Sequence, residues 1–366
     1  MALQKLEVQQ LLEELELTPM VKNIQIFDNE VQLDLEVKSP ALHQKKKFEE
    51  AISQAFQDKF GPEVSTKLHF VVEAKESLPP IAGKAIPGVK HIIAISSGKG
   101  GVGKSTVTSN LAVSLQKMGF KVGVLDADIH GPSMPIMFDI EDQKPRQIHI
   151  EGKSKMQPIE SYGIKILSIG FFTDANQAIV WRGPMAGKAL HQMIHDAHWG
   201  ELDFLLLDLP PGTGDIHLSL VQQIPITATV IVSTPQNVAM ADVKRGVNMF
   251  SLDSINVPIL GIIENMAYFT PLELPQNKYY IFGESGAKHM AGQLNIPFLG
   301  EIPLVQGIRE SSDVGRPICL QEENPVTLAY HQITQNMIES LGKRNKNLPP
   351  TEVVRITTMA GCSPKK

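Results

Sequence analysis

The stretch ISSGKGGVGKSTVTSNLA, residues 95–112, sets glycines at 98, 100, 101 and 103 in front of Lys104, Ser105 and Thr106. From Gly98 to Ser105 it fits the spacing G-x-x-x-x-G-K-[ST]. Glycine lets the backbone take φ > 0 and approach a ligand closely. The successive N–H groups of Gly98, Lys99, Gly100, Gly101, Val102 and Gly103 can then converge on phosphate oxygens. A helix beginning near Lys104 would add the positive end of its dipole. In this pattern Lys104 reaches the β- and γ-phosphates of ATP, and the Ser105 hydroxyl binds Mg²⁺. The flanks supply the context that the pattern requires. HIIAIS before it reads as a buried strand, and TVTSNLAVSLQKMGF after it places Val107, Leu111 and Leu115 at helical spacing.

Working outward, residues from His91 onward alternate between apolar strands and helices. The predicted strands are HIIAISS, KVGVLDAD, IKILSIG, FLLLDLP, ATVIVST, VPILGIIENM and PFLGEIP. Uninterrupted apolar strands between helices predict an α/β fold, a mostly parallel sheet covered by helices on both faces. Ligands in such sheets sit at the carboxyl ends of the strands. Ahead of this lies a small α+β unit over residues 1–75. It has an amphipathic helix at 3–16, a hairpin turning at Asp28-Asn29, a second helix, and the strand KLHFVVEA. The Pro- and Gly-rich stretch 76–90 reads as a linker between this unit and a nucleotide-binding domain at 91–345. Residues 346–366 lack periodicity and read as a flexible tail.

Composition narrows the function. Hydrophobic residues make up 42% of the 366, enough for a sizeable core, and the net charge of −5 argues against nucleic acid as a partner. Two cysteines, Cys319 and Cys362, form no disulfide framework, which points to a reducing, cytoplasmic setting. The acidic start lacks the basic end and apolar core of a signal peptide, and no apolar run spans a membrane. No membrane partner is expected.

Further acids fall at strand ends. Asp208 follows FLLLD, where a carboxylate supports Mg²⁺ near a nucleotide, usually through water. Asp126 and Asp128 follow KVGVL, and Asp128 is placed to orient or deprotonate an attacking water. Gly212 and Gly214 give a loop able to sense the γ-phosphate.

The run KGGVGKST resembles the deviant phosphate loop of the ParA, Mrp and nitrogenase-iron-protein class of ATPases. In that class the first lysine, here Lys99, crosses a dimer interface to the partner's nucleotide, by the charge logic of an arginine finger. GKGGVGKST, DADIHGPSMP, WRGPM, DLPPGTGD, STPQNVAMADVKRG and ENMAYF together resemble the Mrp/ApbC iron–sulfur cluster carriers over about residues 90–345. The first unit is similar to a small domain found in iron–sulfur assembly proteins. The resemblance implies ATP hydrolysis, a homodimer, and delivery of an iron–sulfur cluster between scaffold and recipient apoproteins. It assigns nucleotide roles to Lys99, Lys104, Ser105, Asp128 and Asp208, and an adenine contact to Asn265 with backbone near Pro303.

One feature departs from that family. Most relatives carry C-x-x-C after the ENM segment, whereas ENMAYFTPLELPQNKYYIFGESG holds no cysteine between 265 and 290. Thr270 and Leu272 stand roughly there, and neither replaces a thiolate. Cys319 reads as a buried small hydrophobe. Cys362, beside lysines in the tail, is the candidate iron–sulfur contact. His191, His195 and His198 share helical spacing, but no fourth metal ligand accompanies them. The alternative reading is a scaffold or positioning ATPase that uses the same dimer switch and carries no cluster.

Overall fold

The computed structural model describes residues 5–15, 17, 21–27, 30–37, 42–72, 86–129, 131–150, 152–172, 183–214, 225–253, 255–271, 273–274 and 276–348. Its contacts divide the chain into two units, Met1–Leu78 and Pro79–Lys366.

The first unit runs α1 (Lys5–Glu14), β1 (Val21–Phe27), β2 (Glu30–Val37), α2 (Leu42–Phe60) and β3 (Ser65–Val72). β1 and β2 pair antiparallel, and β3 lies parallel to β2, which requires a crossover that α2 supplies. Alternation on β2 turns Val31 and Leu33 inward, against Val8, Leu11 and Leu12 of α1 and Ile52 and Phe56 of α2. The hairpin residues Asp28 and Asn29 lie outside the described residues.

The second unit continues with β4 (Val89–Ser96), α3 (Lys104–Lys117), β5 (Val122–Asp126), α4 (Met134–Met137), β6 (Arg146–Ile150), β7 (Lys153–Gln157), β8 (Ile159–Ser161) and β9 (Ile164–Ser168). Then come α5 (Gly183–His195), β10 (Leu202–Asp208), β11 (Ala228–Ser233), α6 (Asn237–Phe250), β12 (Ile259–Phe269), α7 (Gly286–Gln293), β13 (Phe298–Leu304), α8 (Gln306–Asp313) and α9 (Pro325–Asn347). Eight strands form one sheet in the order β13-β12-β11-β4-β10-β5-β9-β8. All neighbours run parallel except β8, an antiparallel edge strand.

The apolar strands explain the layers. Alternate residues of β4 enter two different cores: Ile93 and Ile95 meet Leu111 of α3 and Ile333 of α9, while Ile92 and Ala94 meet Leu190 of α5 and Phe250 of α6. A strand so covered has no polar face, so its sequence shows no alternation. β4 and α3 also fix the position of the glycine run, which joins the carboxyl end of one to the amino end of the other.

Two boundaries and three strands differ from the sequence expectation. β4 begins at Val89, inside the expected linker, whose residues up to 85 lie outside the described part. α9 runs through Asn347, into the expected tail. Asn324 accepts from the N–H groups of Val326 and Thr327 at its start, and Arg344 and Lys346 suit its negative end. The β6–β7 hairpin and β8 had no sequence signal, being short and polar.

Candidate functional site

Parallel register brings the carboxyl ends of three strands to one level. Asp208 closes β10 opposite Ile95 of β4 on one side and Asp126 of β5 on the other. The glycine run rises from β4 beside them. Gly101 and Gly103 both have φ of 79°, a backbone state that suits glycine. A cleft of about 250 Å³ lies here, lined by residues 99–106 with Ser97, Asp128, Ser133 and Pro211. Gly98 lies behind it. A Cβ on Gly98 would fall 2.5 Å from the Asp242 main chain, so the missing side chain lets α6 pack against the loop.

Asp208 is the centre of the site. It is fully buried and receives Ser105 Oγ at 2.6 Å, Thr108 Oγ1 at 2.8 Å and Lys104 Nζ at 2.8 Å. Lys104 is only 6% exposed. A buried charge is tolerated when it is paired and hydrogen-bonded, and here both partners are. Asp128 is 3.7 Å from the same ammonium and also buried. Thus Lys104, Ser105, Asp128 and Asp208, expected together from strand ends, do share one cluster. Thr108 is the member that the sequence reading passed over. It stands four residues after Lys104 on α3, the spacing that places two side chains on one helix face.

Asp126 organises the segment that carries Asp128 and Ser133. Its carboxylate accepts from the N–H of Asp128 at 3.2 Å, Ser133 at 3.0 Å and Met134 at 3.1 Å, and from Ser168 Oγ at 2.9 Å. Burial, reinforced by the charge of Asp208, pushes its pKa up to about 7. It therefore holds the turn after β5 in place.

Lys99 Nζ donates to Gln236 Oε1 at 3.0 Å, and that oxygen also accepts from Thr234 Oγ1 at 3.0 Å. The STPQ segment thus receives Lys99 within one chain. Asn265 donates its amide to the Val102 carbonyl at 2.8 Å and packs against Gly103. It braces the glycine run through Nδ2. Gly212 donates its N–H to the Ser97 carbonyl, tying the Asp208 loop to the glycine run, while Gly214 is exposed.

Comparison with known proteins decides the family. The profile described as NUBPL iron-transfer P-loop NTPase, of the ParA group, matches residues 88–338. The chain belongs to the ParA/NUBPL P-loop NTPases. Among curated relatives, an iron-sulfur cluster carrier protein of Aquifex aeolicus is 47% identical over 259 residues, 70% of each chain. The iron-sulfur cluster transfer protein NUBPL of Dictyostelium discoideum is 46% identical over 265 residues, 72% of this chain and 80% of its own. The Escherichia coli iron-sulfur cluster carrier protein is 44% identical over 265 residues, 72% of this chain and 70% of its own. Among solved structures, a nucleotide-binding protein from Archaeoglobus fulgidus in complex with ADP is 38% identical. It covers 64% of this chain and 90% of its own, with a TM-score of 0.56.

Among the described residues no three His, Cys, Asp or Glu side chains gather as a metal site. Cys319 is the single described cysteine. It is buried in the α3–α9 core, with its N–H bonded to Asn110 Oδ1, and burial pushes its thiol up to about 12. A protonated, enclosed thiol does not ligate iron. Cys362, Leu272, and Trp181 and Arg182 of the WRGPM motif lie outside the described residues, while Thr270 follows β12. The expected histidine row is incomplete. His191 and His195 stack at 4.6 Å on α5, but the helix ends at His195 and His198 lies beyond it. The described residues therefore do not fit an iron–sulfur cluster. No described helix is long and apolar enough to cross a membrane.

Proposed function

We propose that this P-loop NTPase hydrolyses ATP as the timing step of iron–sulfur cluster delivery, acting as an ATP-closed homodimer. The observation that carries the reading is the Lys104, Ser105 and Asp208 cluster beneath a loop of glycine amides. The names of the relatives support the delivery role.

The amides of residues 98–105 hold the phosphate oxygens of ATP. Lys104 leaves Asp208 for the β- and γ-phosphates, exchanging one anion for another. Ser105 Oγ and Asp208 Oδ2, now 2.6 Å apart, are hard oxygen donors of the kind that Mg²⁺ takes, and they would hold it, Asp208 through water. Bound there, Mg²⁺ neutralises charge on the phosphates. Asp128 accepts a hydrogen bond from the attacking water and aligns it with the terminal phosphorus. The products are ADP and phosphate. Lys99 exchanges Gln236 for the nucleotide of a second copy, supplying a cation in trans. Asn265 contacts adenine through Oδ1. The unit at 1–75 takes the place of the small iron–sulfur-assembly domain and docks scaffold or recipient apoproteins.

A second reading, an ATP-dependent scaffold without a cluster, is favoured by the enclosure of Cys319 and the missing C-x-x-C. Anaerobic reconstitution separates the two. Carrier activity predicts bound iron and sulfide that transfer to an apoprotein, lost in Cys362→Ser and retained in Cys319→Ser. A colourless wild-type protein that still hydrolyses ATP would establish the scaffold instead.

A further inference from the structure

We propose that Ser133 is a further substrate contact, its hydroxyl donating a hydrogen bond to the terminal phosphate of the bound nucleoside triphosphate. The proposal rests on the reading of the cleft as an ATP site and adds a residue that reading does not use.

Ser133 lines the same cleft as Lys104 and Asp128. Its main chain is fixed: its own N–H and that of Met134 both donate to Asp126 Oδ2, at 3.0 and 3.1 Å. Asp126 is anchored in turn by Ser168 Oγ at 2.9 Å. The Ser133 Cα thus has little freedom to move. Its hydroxyl is different. Ser133 Oγ is buried and has no hydrogen-bond partner among the described residues.

The neighbouring hydroxyls sharpen the contrast. Ser97 Oγ donates to the Lys99 carbonyl, Ser105 Oγ to Asp208, and Ser168 Oγ to Asp126. Among the described residues, Trp199 Nε1 and Tyr330 Oη also lack a partner, and neither residue lines the cleft. Buried polar atoms are nearly always satisfied, and leaving one unsatisfied costs free energy. At a binding cleft the missing partner is most simply a group that arrives with the ligand.

The cleft defines that group. Its other wall is a row of amide donors and Lys104, so the ligand is an anion rich in lone pairs. Ser133 lines the cleft together with Asp128, the residue assigned to the attacking water, and so is assigned to the distal end of a triphosphate. Rotation about χ1 among the staggered wells of a pinned serine is enough to aim the O–H at a phosphate oxygen. The contact distinguishes a triphosphate from a diphosphate.

The test compares the full chain with Ser133→Ala and Ser133→Thr. Thermal unfolding is followed without nucleotide, with Mg·ADP, and with Mg·ATPγS as the slowly cleaved triphosphate, alongside ATP turnover. Ser133→Ala is expected to melt no lower than wild type without nucleotide, since it loses no bond. Its ADP-induced rise in Tm should equal that of wild type. Its ATPγS-induced rise should shrink by the equivalent of roughly tenfold weaker binding, and kcat should fall about tenfold or more. Ser133→Thr, which keeps the hydroxyl, should retain the triphosphate response. Equal ATPγS shifts and turnover in wild type and Ser133→Ala would overturn the assignment, as would equal losses for ADP and ATPγS. A wild-type chain that responds to neither nucleotide would instead overturn the ATP reading on which it stands.

Discussion

Asp208 shows how much chemistry one carboxylate can organise. Buried at the end of β10, it gathers an ammonium and two hydroxyls, all from the first turns of α3. Lys99 is the second residue with a prediction attached. Its ammonium faces a neutral amide oxygen of Gln236, an arrangement a nucleotide phosphate can displace. Lys99→Ala should therefore keep nucleotide binding in the monomer while lowering ATP turnover at least tenfold, by analogy with removal of a cation supplied in trans. Turnover at different protein concentrations checks this: wild type should gain specific activity as it dimerises, and the variant should not. At this scale the sequence was readable where chemistry dictates spacing. Lys104, Ser105, Asp128 and Asp208 follow from one motif and from acids after apolar strands. Thr108 and Ser133 do not, because a hydroxyl in a helix or turn is common and only the fold says what it faces. Gln236 lay within a quoted motif, but its partner is 137 residues away in sequence.

At the scale of elements, apolar runs identified all seven parallel strands of the main sheet, most of which are buried on both faces and so leave a continuous signal. The hairpin of β6 and β7 escaped because its exposed polar residues resemble a loop. Packing between elements rests on small residues, and Gly98 is the clearest case. Gly98→Ala would drive a methyl into the Asp242 main chain and push α6 from the glycine run. A cost of about 1–3 kcal/mol follows from overpacking, measurable as a lower midpoint in denaturant unfolding. His91 on β4 gives a pH prediction. Burial, helped by the charges of Lys90 and Arg344, lowers its pKa to about 4, against 6.5 when unfolded. The unfolded chain thus binds the proton first as pH falls. The contribution to stability is complete above pH 6.5 and is lost progressively toward pH 4, amounting to roughly 3 kcal/mol by linkage. His91→Phe, which keeps a ring beside Phe204, should flatten the stability profile across that window, as read by urea unfolding at stepped pH. An unchanged slope would refute the assignment to His91.

At the scale of the whole molecule, the family is fixed by the match over residues 88–338 together with relatives of 44–47% identity. Two features of the chain stand apart from each other. Lys104, Ser105 and Asp208 gather in the described residues, while thiolates for a cluster are absent from them. The sequence announced that separation through its missing C-x-x-C, because a ligand set is a matter of residue identity and needs no fold to be read. The claim beneath all of this is that the amides of residues 98–105 hold a triphosphate and that Lys104 binds it. Isothermal titration of the purified chain with Mg·ATPγS, beside Lys104→Ala, tests it most directly. One nucleotide per wild-type chain, with binding lost or at least a hundredfold weaker in the variant, is the predicted result; no heat with wild type, or equal affinity in both, would contradict it.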